Sequence, residues 1–384
     1  MLTVVLLASS FGCLVVHDPT AQQSLRIEAY GANALRVRAV PLGNAFRDDL
    51  VSALVPVPSP AGAAGAAAGA GAAAPPCVAV SLGAGGTNFT SGNLRAEVSA
   101  AAGGLLSFWR VSDGARLLTE QSVRTLRPTV TRPPLPGFYA LQLAFEPVAG
   151  ERIFGLGQHK TGRLDNKGVK GGFALGPRNT EITIPVVHSS LGYALLFNLP
   201  AFGAVEYNDT GSFWRADAAL QADFWVATTA DSPPHAGAAG SPWAQLQLAY
   251  ADATGHAPAL PGWATGFWQC KNRYKNRTQL TAVVDGYVAR QHPVSLMIID
   301  YYSWNPGPLG DEVLPPACWP DARSMVAELR AEGVELMISP YFHSLAAGSR
   351  PYAQVLKITH SLVISPSSTL THDSLLCSIS LSLL

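Results

Sequence analysis

The stretch "VSLMIIDYYSW", Val294 to Trp304, sets the acid Asp300 between a continuous apolar run and a row of aromatic side chains. An unbroken run of Leu, Met and Ile suits a parallel strand buried on both faces, whereas a half-exposed strand alternates apolar with polar residues. The flanking text fits the same scheme. Upstream, "ATGFWQC" reads as a short buried strand, and "TQLTAVVDGYVARQ" puts Leu280, Val283, Val284, Tyr287 and Val288 on one helical face, with Thr278 a candidate cap. Downstream, "PDARSMVAELRAEG" offers Asp321 as N-cap, Met325, Val326 and Leu329 as inward residues and Gly333 as a stop, and "VELMISPYF" follows as a third strand. Strand, helix, strand, helix, strand opens either a (β/α) barrel or a doubly wound sheet.

In such barrels the chemistry gathers at the C-terminal ends of the strands, and Asp300 stands at such an end. A carboxylate there either caps a turn, or pairs with an arginine in the barrel mouth, or binds a ligand, and composition alone does not separate these roles. The neighbours favour a ligand. Tyr301, Tyr302 and Trp304 present apolar faces with polar tips, the means by which proteins cover the CH face of a sugar while carboxylates take its hydroxyls. Trp268, Lys271 and Arg273 form a similar group after the first strand.

The first half of the chain reads differently. Leu25 to about Val40 alternates polar and apolar residues around a turn signal at Gly31 to Asn33, as a hairpin does. From Val78 to about Val226 short strands recur between turns, among them "NLRAEVSA", "LLSFWRV", "ALQLAFE", "EITIPVVHS", "YALLFNL" and "ADFWVAT", the pattern of an antiparallel sandwich. The insertion "PSPAGAAGAAAGAGAAAPP", Pro58 to Pro76, lacks the side-chain variety to specify a packed face and reads as a flexible surface segment. A loop rich in Pro, Gly and Ala, Ala230 to Trp243, separates the halves.

Composition bounds the rest. With 384 residues, 48% hydrophobic and 14% charged, the chain has material for about two cores, and its formal net charge of zero points to neither nucleic acid nor an anionic membrane as partner. Cysteines 13, 77, 270, 318 and 377 show no CxxC pairing, so the expectation is reduced or incidental thiols and no metal site. "LTVVLLASSFGCLVV", Leu2 to Val16, has the length of a signal-peptide apolar region but no basic flank, Arg26 being the first cation. A buried first strand is set ahead of a signal peptide, and an intracellular location ahead of a secretory one. Glycosylation triplets at Asn88, Asn208 and Asn276 do not alter that order, because such triplets are common by chance.

"ERIFGLGQHKTG", "RNTEITIPVVHSSLGYALLFN", "ATGHAPALPGWATGFWQCKNRYKNRTQL", "MIIDYYSW" and "CWPDARSMVAELRAEGVELMIS" resemble, in order and spacing, glycoside hydrolase family 31, nearest its α-xylosidase and α-glucosidase-like members. The resemblance runs from about Leu25 to about Ser344. It implies a mutarotase-like β-sandwich over 25–250, carrying the insertion 58–76 and preceded by an uncertain segment 1–24. After it come the first part of a (β/α)8 barrel over 258–344 and a tail, 345–384, unlike the family. It further implies a carbohydrate substrate, no metal or organic cofactor, and a retaining mechanism on α-linked sugars.

Carried over by position, the family's acid at the end of the second barrel strand falls on Asp300, which would bind hydroxyls of the cleaved sugar and is not the nucleophile. Tyr301, Tyr302 and Trp304 would wall that subsite. The loop around Arg178 and Asn179 resembles the family segment reaching toward the barrel mouth, or is a turn held by the Asn side chain. Asp311 and Trp319 are lesser candidates, and Asp321 reads as a helix cap.

Retention needs a nucleophile and an acid/base, which the family carries after its fourth and sixth barrel strands. Neither is matched here, and Asp373 in "THDSLL" fits neither motif. The expectation is therefore a C-terminally truncated family member, inactive as written. The alternatives are a noncatalytic sugar-binding derivative and a nonfunctional fragment.

Overall fold

The computed structural model describes residues 4–7, 12–55, 77–129, 137–176, 178, 180–230, 241–300, 302–304, 306–311, 313–339 and 345–354. They form two compact units, one running to His256 and one starting at Ala257. The insertion 58–76 lies outside the described residues. No helix among the described residues is long and apolar enough to cross a membrane.

In chain order the first unit carries β1 (Val4–Leu7), β2 (Cys13–Asp18), β3 (Gln23–Ala29), β4 (Ala34–Pro41), β5 (Cys77–Ser81), β6 (Thr87–Ser91), β7 (Leu94–Ser99), β8 (Leu105–Arg110) and β9 (Arg116–Pro128). It continues with β10 (Tyr139–Phe145), β11 (Ile153–Gln158), β12 (Phe173–Leu175), β13 (Ile182–Ser189), β14 (Tyr193–Phe197), β15 (Gly203–Asn208), β16 (Gly211–Ala219) and β17 (Ala222–Thr228), and ends in helix α1 (Pro242–Thr254). Two sheets result, ordered β1-β6-β7-β8-β9-β10-β16-β15-β12 and β11-β13-β14-β17-β4-β3-β2-β5 among the described residues. Their inner faces share one core. In β7 every second residue, Leu94, Ala96 and Val98, turns inward, as the period of a strand requires. Phe224 of β17 meets Phe108 and Phe145 of the opposite sheet edge-on, each at 6.3 Å between ring centroids.

Strand β17 is buried along its whole length because both its faces are covered. Phe224 and Val226 face the inter-sheet core, while Trp225 and Ala227 pack with Leu246 and Ala253 of α1. Ser241 caps α1 by accepting the Ala244 N–H at 3.2 Å, and Pro242 opens it. The separating loop expected to end at Trp243 therefore stops sooner, and α1 belongs to the first unit. The structure also includes part of the segment 1–24: β2 pairs antiparallel with β3 and parallel with β5.

That parallel pair corrects the cysteine reading. Cys13 lies opposite Cys77 in the β2–β5 register with 4.6 Å between Cα atoms, and the two form a disulfide. Local spacing holds no trace of it, since 64 residues separate the two. It fastens the edge strand β5, whose side chains are exposed or half-buried and supply little packing of their own.

The second unit starts with a 3-10 turn, Gly262–Thr265, and continues through β18 (Trp268–Lys271), α2 (Arg277–Ala289), β19 (Leu296–Ile299), α3 (Ala322–Ala331) and β20 (Glu335–Ile338). All three strands are parallel, ordered β18-β19-β20. Leu280 and Val284 of α2 and Met325 and Leu329 of α3 bury against Met297 and Ile299 of β19. Three expectations change. The cap of α2 is Asn276, which accepts the Gln279 N–H at 2.9 Å, and Thr278 falls inside the first turn. Val288 is exposed, because the helix turns it past the buried stripe. β18 is shorter than "ATGFWQC" and mostly exposed, as a sheet-edge strand is.

In the first unit Glu151 is buried, and its Oε1 accepts from the Ser189 hydroxyl at 2.5 Å and the Tyr193 hydroxyl at 2.8 Å. Burial pushes this carboxyl above its ordinary 4.5, with the two hydroxyl donors opposing the rise. The folded state then holds the proton more tightly than the unfolded chain, so stability falls as pH rises from 4.5 through the raised value. Glu151→Gln keeps the acceptor oxygen and removes the charge. Its Tm relative to the parent should improve from pH 4.5 to neutral pH in thermal melts, and an offset independent of pH would contradict this assignment.

Candidate active site

Parallel pairing puts Lys271 of β18 beside Ile299 of β19, and Ile299 beside Ile338 of β20, so the three C-terminal ends share one edge. Asp300 directly follows β19 at that edge and is half-buried. Its charge reaches the neighbouring strand: burial pushes the Cys270 thiol up, and the negative charge of Asp300 adds to the rise. The loop after β18 brings Arg273 over the Tyr302 ring, 4.6 Å from its centroid, a cation held on an aromatic face. Tyr302 in turn tilts against Trp304, with centroids 5.7 Å apart.

Tyr302 holds a left-handed backbone conformation, φ 72°, which costs a non-glycine residue about 1–3 kcal/mol and persists only where the surroundings enforce it. Buried Trp319 supplies part of that enforcement. Its indole Nε1–H donates to the Ser303 carbonyl at 3.0 Å, fixing the turn between Tyr302 and Trp304. Gly307 lies close under the same turn, where a Cβ would stand 2.8 Å from the Trp304 carbonyl oxygen. On the other side, Gln269 of β18 is clasped by two tyrosines: Tyr287 of α2 donates to its Oε1 at 2.6 Å, and its Nε2 donates to Tyr274 at 3.2 Å.

The strand edge thus gathers Asp300 and Arg273 beside the half-buried Tyr302 ring, a carboxylate and a cation next to an aromatic face, a set suited to the hydroxyls and CH face of a sugar, whereas Trp304, expected to wall the subsite, is fully buried behind Tyr302 and supports that ring from within. Trp268 is not among them. It is the first residue of β18, three residues from the strand's end, so about 10 Å back along the strand. There it is exposed and tilted against Trp263. Lys271 ends the strand and directs its ammonium over Tyr274, 5.6 Å from the centroid. Tyr301 and Asn179 lie outside the described residues.

Arg178 belongs to the first unit, where its guanidinium meets Glu181 at 2.5 Å. The backbone N–H of Lys160, then the charges of Arg178 and His159, hold that carboxyl below its usual range. Asp311 accepts the Arg350 N–H at 3.2 Å, and Asp321 caps α3 through the Ser324 N–H at 3.1 Å. Sequence reasoning passed over Ser303 and Gln269. Their roles arise from partners 16 and 18 residues away, and Tyr287 read only as core. Among the described residues no group of three or more His, Cys, Asp or Glu is placed to hold a metal ion.

The family model for the glycosyl hydrolases family 31 TIM-barrel domain matches residues 257–369, beginning where the second unit begins and running past Ser344. An uncharacterized family 31 glucosidase from Pseudescherichia vulneris is 38% identical over 207 residues, covering 54% of this chain and 36% of that protein. Alpha-xylosidase A of Aspergillus niger is 31% identical over 258 residues, covering 66% of this chain and 33% of its own length. Among solved structures, a family 31 alpha-xylosidase from a soil metagenome, complexed with xylose, superposes with TM-score 0.68 at 29% identity, over 89% of this chain and 48% of that one. A xylosidase from Aspergillus niger gives TM-score 0.70 at 27% identity, over 91% and 47%. Residues 257–369 thus carry the TIM-barrel domain of glycoside hydrolase family 31, and the chain is similar to family 31 alpha-xylosidases over most of its length. It spans about a third of the length of these curated relatives and about half that of the solved chains.

Trp319→Phe keeps the buried ring and leaves the Ser303 carbonyl without its donor. It should cost about 1–3 kcal/mol and loosen the turn that carries Tyr302. Hydrogen exchange should quicken at residues 302–304 before it does in α3, and unchanged protection there would remove Trp319 from this role.

Proposed function

We propose that this chain supplies the sugar-reading edge of a retaining glycoside hydrolase acting on α-linked xylosides or glucosides. The observation that carries the reading is Asp300 at the end of β19, with Arg273 and Tyr302 gathered on the same edge of the sheet. Asp300 binds hydroxyls of the sugar being cleaved, and the Tyr302 ring walls its CH face, backed by buried Trp304. The three parallel strands with their two helices are the opening of a (β/α)8 barrel, and the two-sheet unit is its mutarotase-like companion. In support, Trp263, Phe267, Trp268, Met337 and Ile338 of the second unit are exposed, apolar surface of the kind that further barrel strands cover.

A retaining mechanism needs two carboxylates about 5–5.5 Å apart, one attacking the anomeric carbon and one protonating the leaving oxygen. Asp300 is neither. It contributes by gripping the sugar more strongly as charge develops in the transition state. A noncatalytic sugar-binding role is the second reading, favoured by one observation: residues 357–384 contain a single acid, Asp373, in a context unlike the family's nucleophile motif.

Two measurements test these readings. In a form of the protein extended to the length of its relatives, Asp300→Ala should lower kcat/KM on nitrophenyl α-xyloside or α-glucoside by about 10- to 100-fold, the worth of a lost hydrogen bond to a charged group. The far-UV circular dichroism should stay unchanged, and unaltered kcat/KM would remove Asp300 from the site. The 384-residue chain itself should release no nitrophenol above background and accept no label from a mechanism-based cyclitol inhibitor. A labelled Asp373 would overturn its exclusion as nucleophile.

A further inference from the structure

Three Asn-X-Thr triplets occur in the chain, at Asn88, Asn208 and Asn276, and the structure sorts them. Asn88 is 7% exposed within β6, hydrogen-bonded between β1 and β7, so an oligosaccharide there would block the sheet. Asn276 spends its side-chain oxygen on the α2 cap, and Arg277 and Thr278 are already helical. Asn208 differs from both. It closes β15 opposite Gly211 of β16, and the loop between them is the exposed pair Asp209 and Thr210.

The geometry at that loop tip is a side-chain turn. Asn208 Oδ1 accepts from the Thr210 N–H at 2.8 Å and from the Thr210 hydroxyl at 2.6 Å, so the carboxamide and the hydroxyl of the triplet are already together. Among the described residues Nδ2 donates to the half-exposed Glu206 carboxylate at 2.9 Å, a bond water can replace. A large substituent on Nδ2 would project from a sheet corner into solvent and displace nothing from the core.

A second, independent observation concerns compartment. The Cys13–Cys77 disulfide joins two strands inside one unit, and such bonds persist in oxidising compartments while cytosolic thiol pools keep cysteines reduced. Asn-X-Thr acceptors are used in that same environment. We infer that Asn208 is an N-glycosylation site and that the chain matures in an oxidising, glycan-transferring compartment. The inference stands apart from the proposed activity. It reverses the expectation of an intracellular location.

The chemistry balances. Asn208 Nδ2 forms a bond to C1 of an oligosaccharide carried on a lipid diphosphate. The C1–O bond breaks, the lipid diphosphate leaves with the electron pair, and the Nδ2 proton passes to the transferase's base. The disulfide forms as the two thiols give up two electrons and two protons to a disulfide-bearing oxidoreductase, which leaves as the dithiol.

The test uses protein purified from the cells that make it. Peptide N-glycanase digestion in heavy-oxygen water converts each glycosylated Asn to a mass-marked Asp. Mass spectrometry should find Asn208 marked and Asn88 unmarked, with the Cys13 and Cys77 peptides joined until reduction. Asn208→Gln and Thr210→Ala should both migrate faster on a gel, while Thr210→Ser, which keeps the acceptor hydroxyl, should migrate as the parent does. If either faster-moving variant fails to fold, the mark on the parent protein still decides the matter. An unmarked Asn208, or Cys13 and Cys77 both alkylated without reduction, would overturn the inference.

Discussion

The parallel register of β18, β19 and β20 is the constraint on which the site depends. Parallel strands need crossover connections, and here α2 and α3 supply them while covering the sheet with Leu280, Val284, Met325 and Leu329. Because the strands run the same way, every loop leaving a C-terminal end emerges along one edge. Pairing Lys271 with Ile299 therefore delivers Arg273 and Tyr302, 29 residues apart, to within 4.6 Å of each other. A slip of one residue would turn Met297 and Ile299 off the helices and carry Asp300 to the other face.

The edge is held by polar contacts that carry no sugar chemistry themselves. Tyr274 and Tyr287 fix Gln269 on β18, and Trp319 fixes the turn after β19 through Ser303. The Trp319 bond opposes the strain of Tyr302 at φ 72°. The division of labour is one of position: residues within the sheet and the helices set the frame, and under the proposed function the residues just past the strand ends are the ones that would meet the sugar.

Much of this was legible because it rests on local pattern. Asp321 capping α3, with Met325 and Leu329 one turn apart beneath it, is a cap followed by helical spacing. The unbroken apolar run of β19 marked a largely buried strand, and alternation marked β7. The misreadings share a cause, which is distance in sequence or ambiguity of register. Asn276 and Thr278 both qualify as caps, and only the start of the helix decides between them. Trp268 looked like a strand-end residue because the 3-10 turn at Gly262 to Thr265, which delays β18, has no strong signature. The Cys13–Cys77 bond depends on β5 returning beside β2, a topological fact that no spacing encodes.

The central claim is that the carboxylate behind β19 reads a sugar. A crystal structure of the protein, extended to the length of its relatives and soaked with xylose, tests it most directly. The account predicts both oxygens of Asp300 within about 3 Å of sugar hydroxyls, with the ring lying against Tyr302. A sugar bound elsewhere, with Asp300 turned to cap a neighbouring turn or engaged only by an arginine, would contradict it.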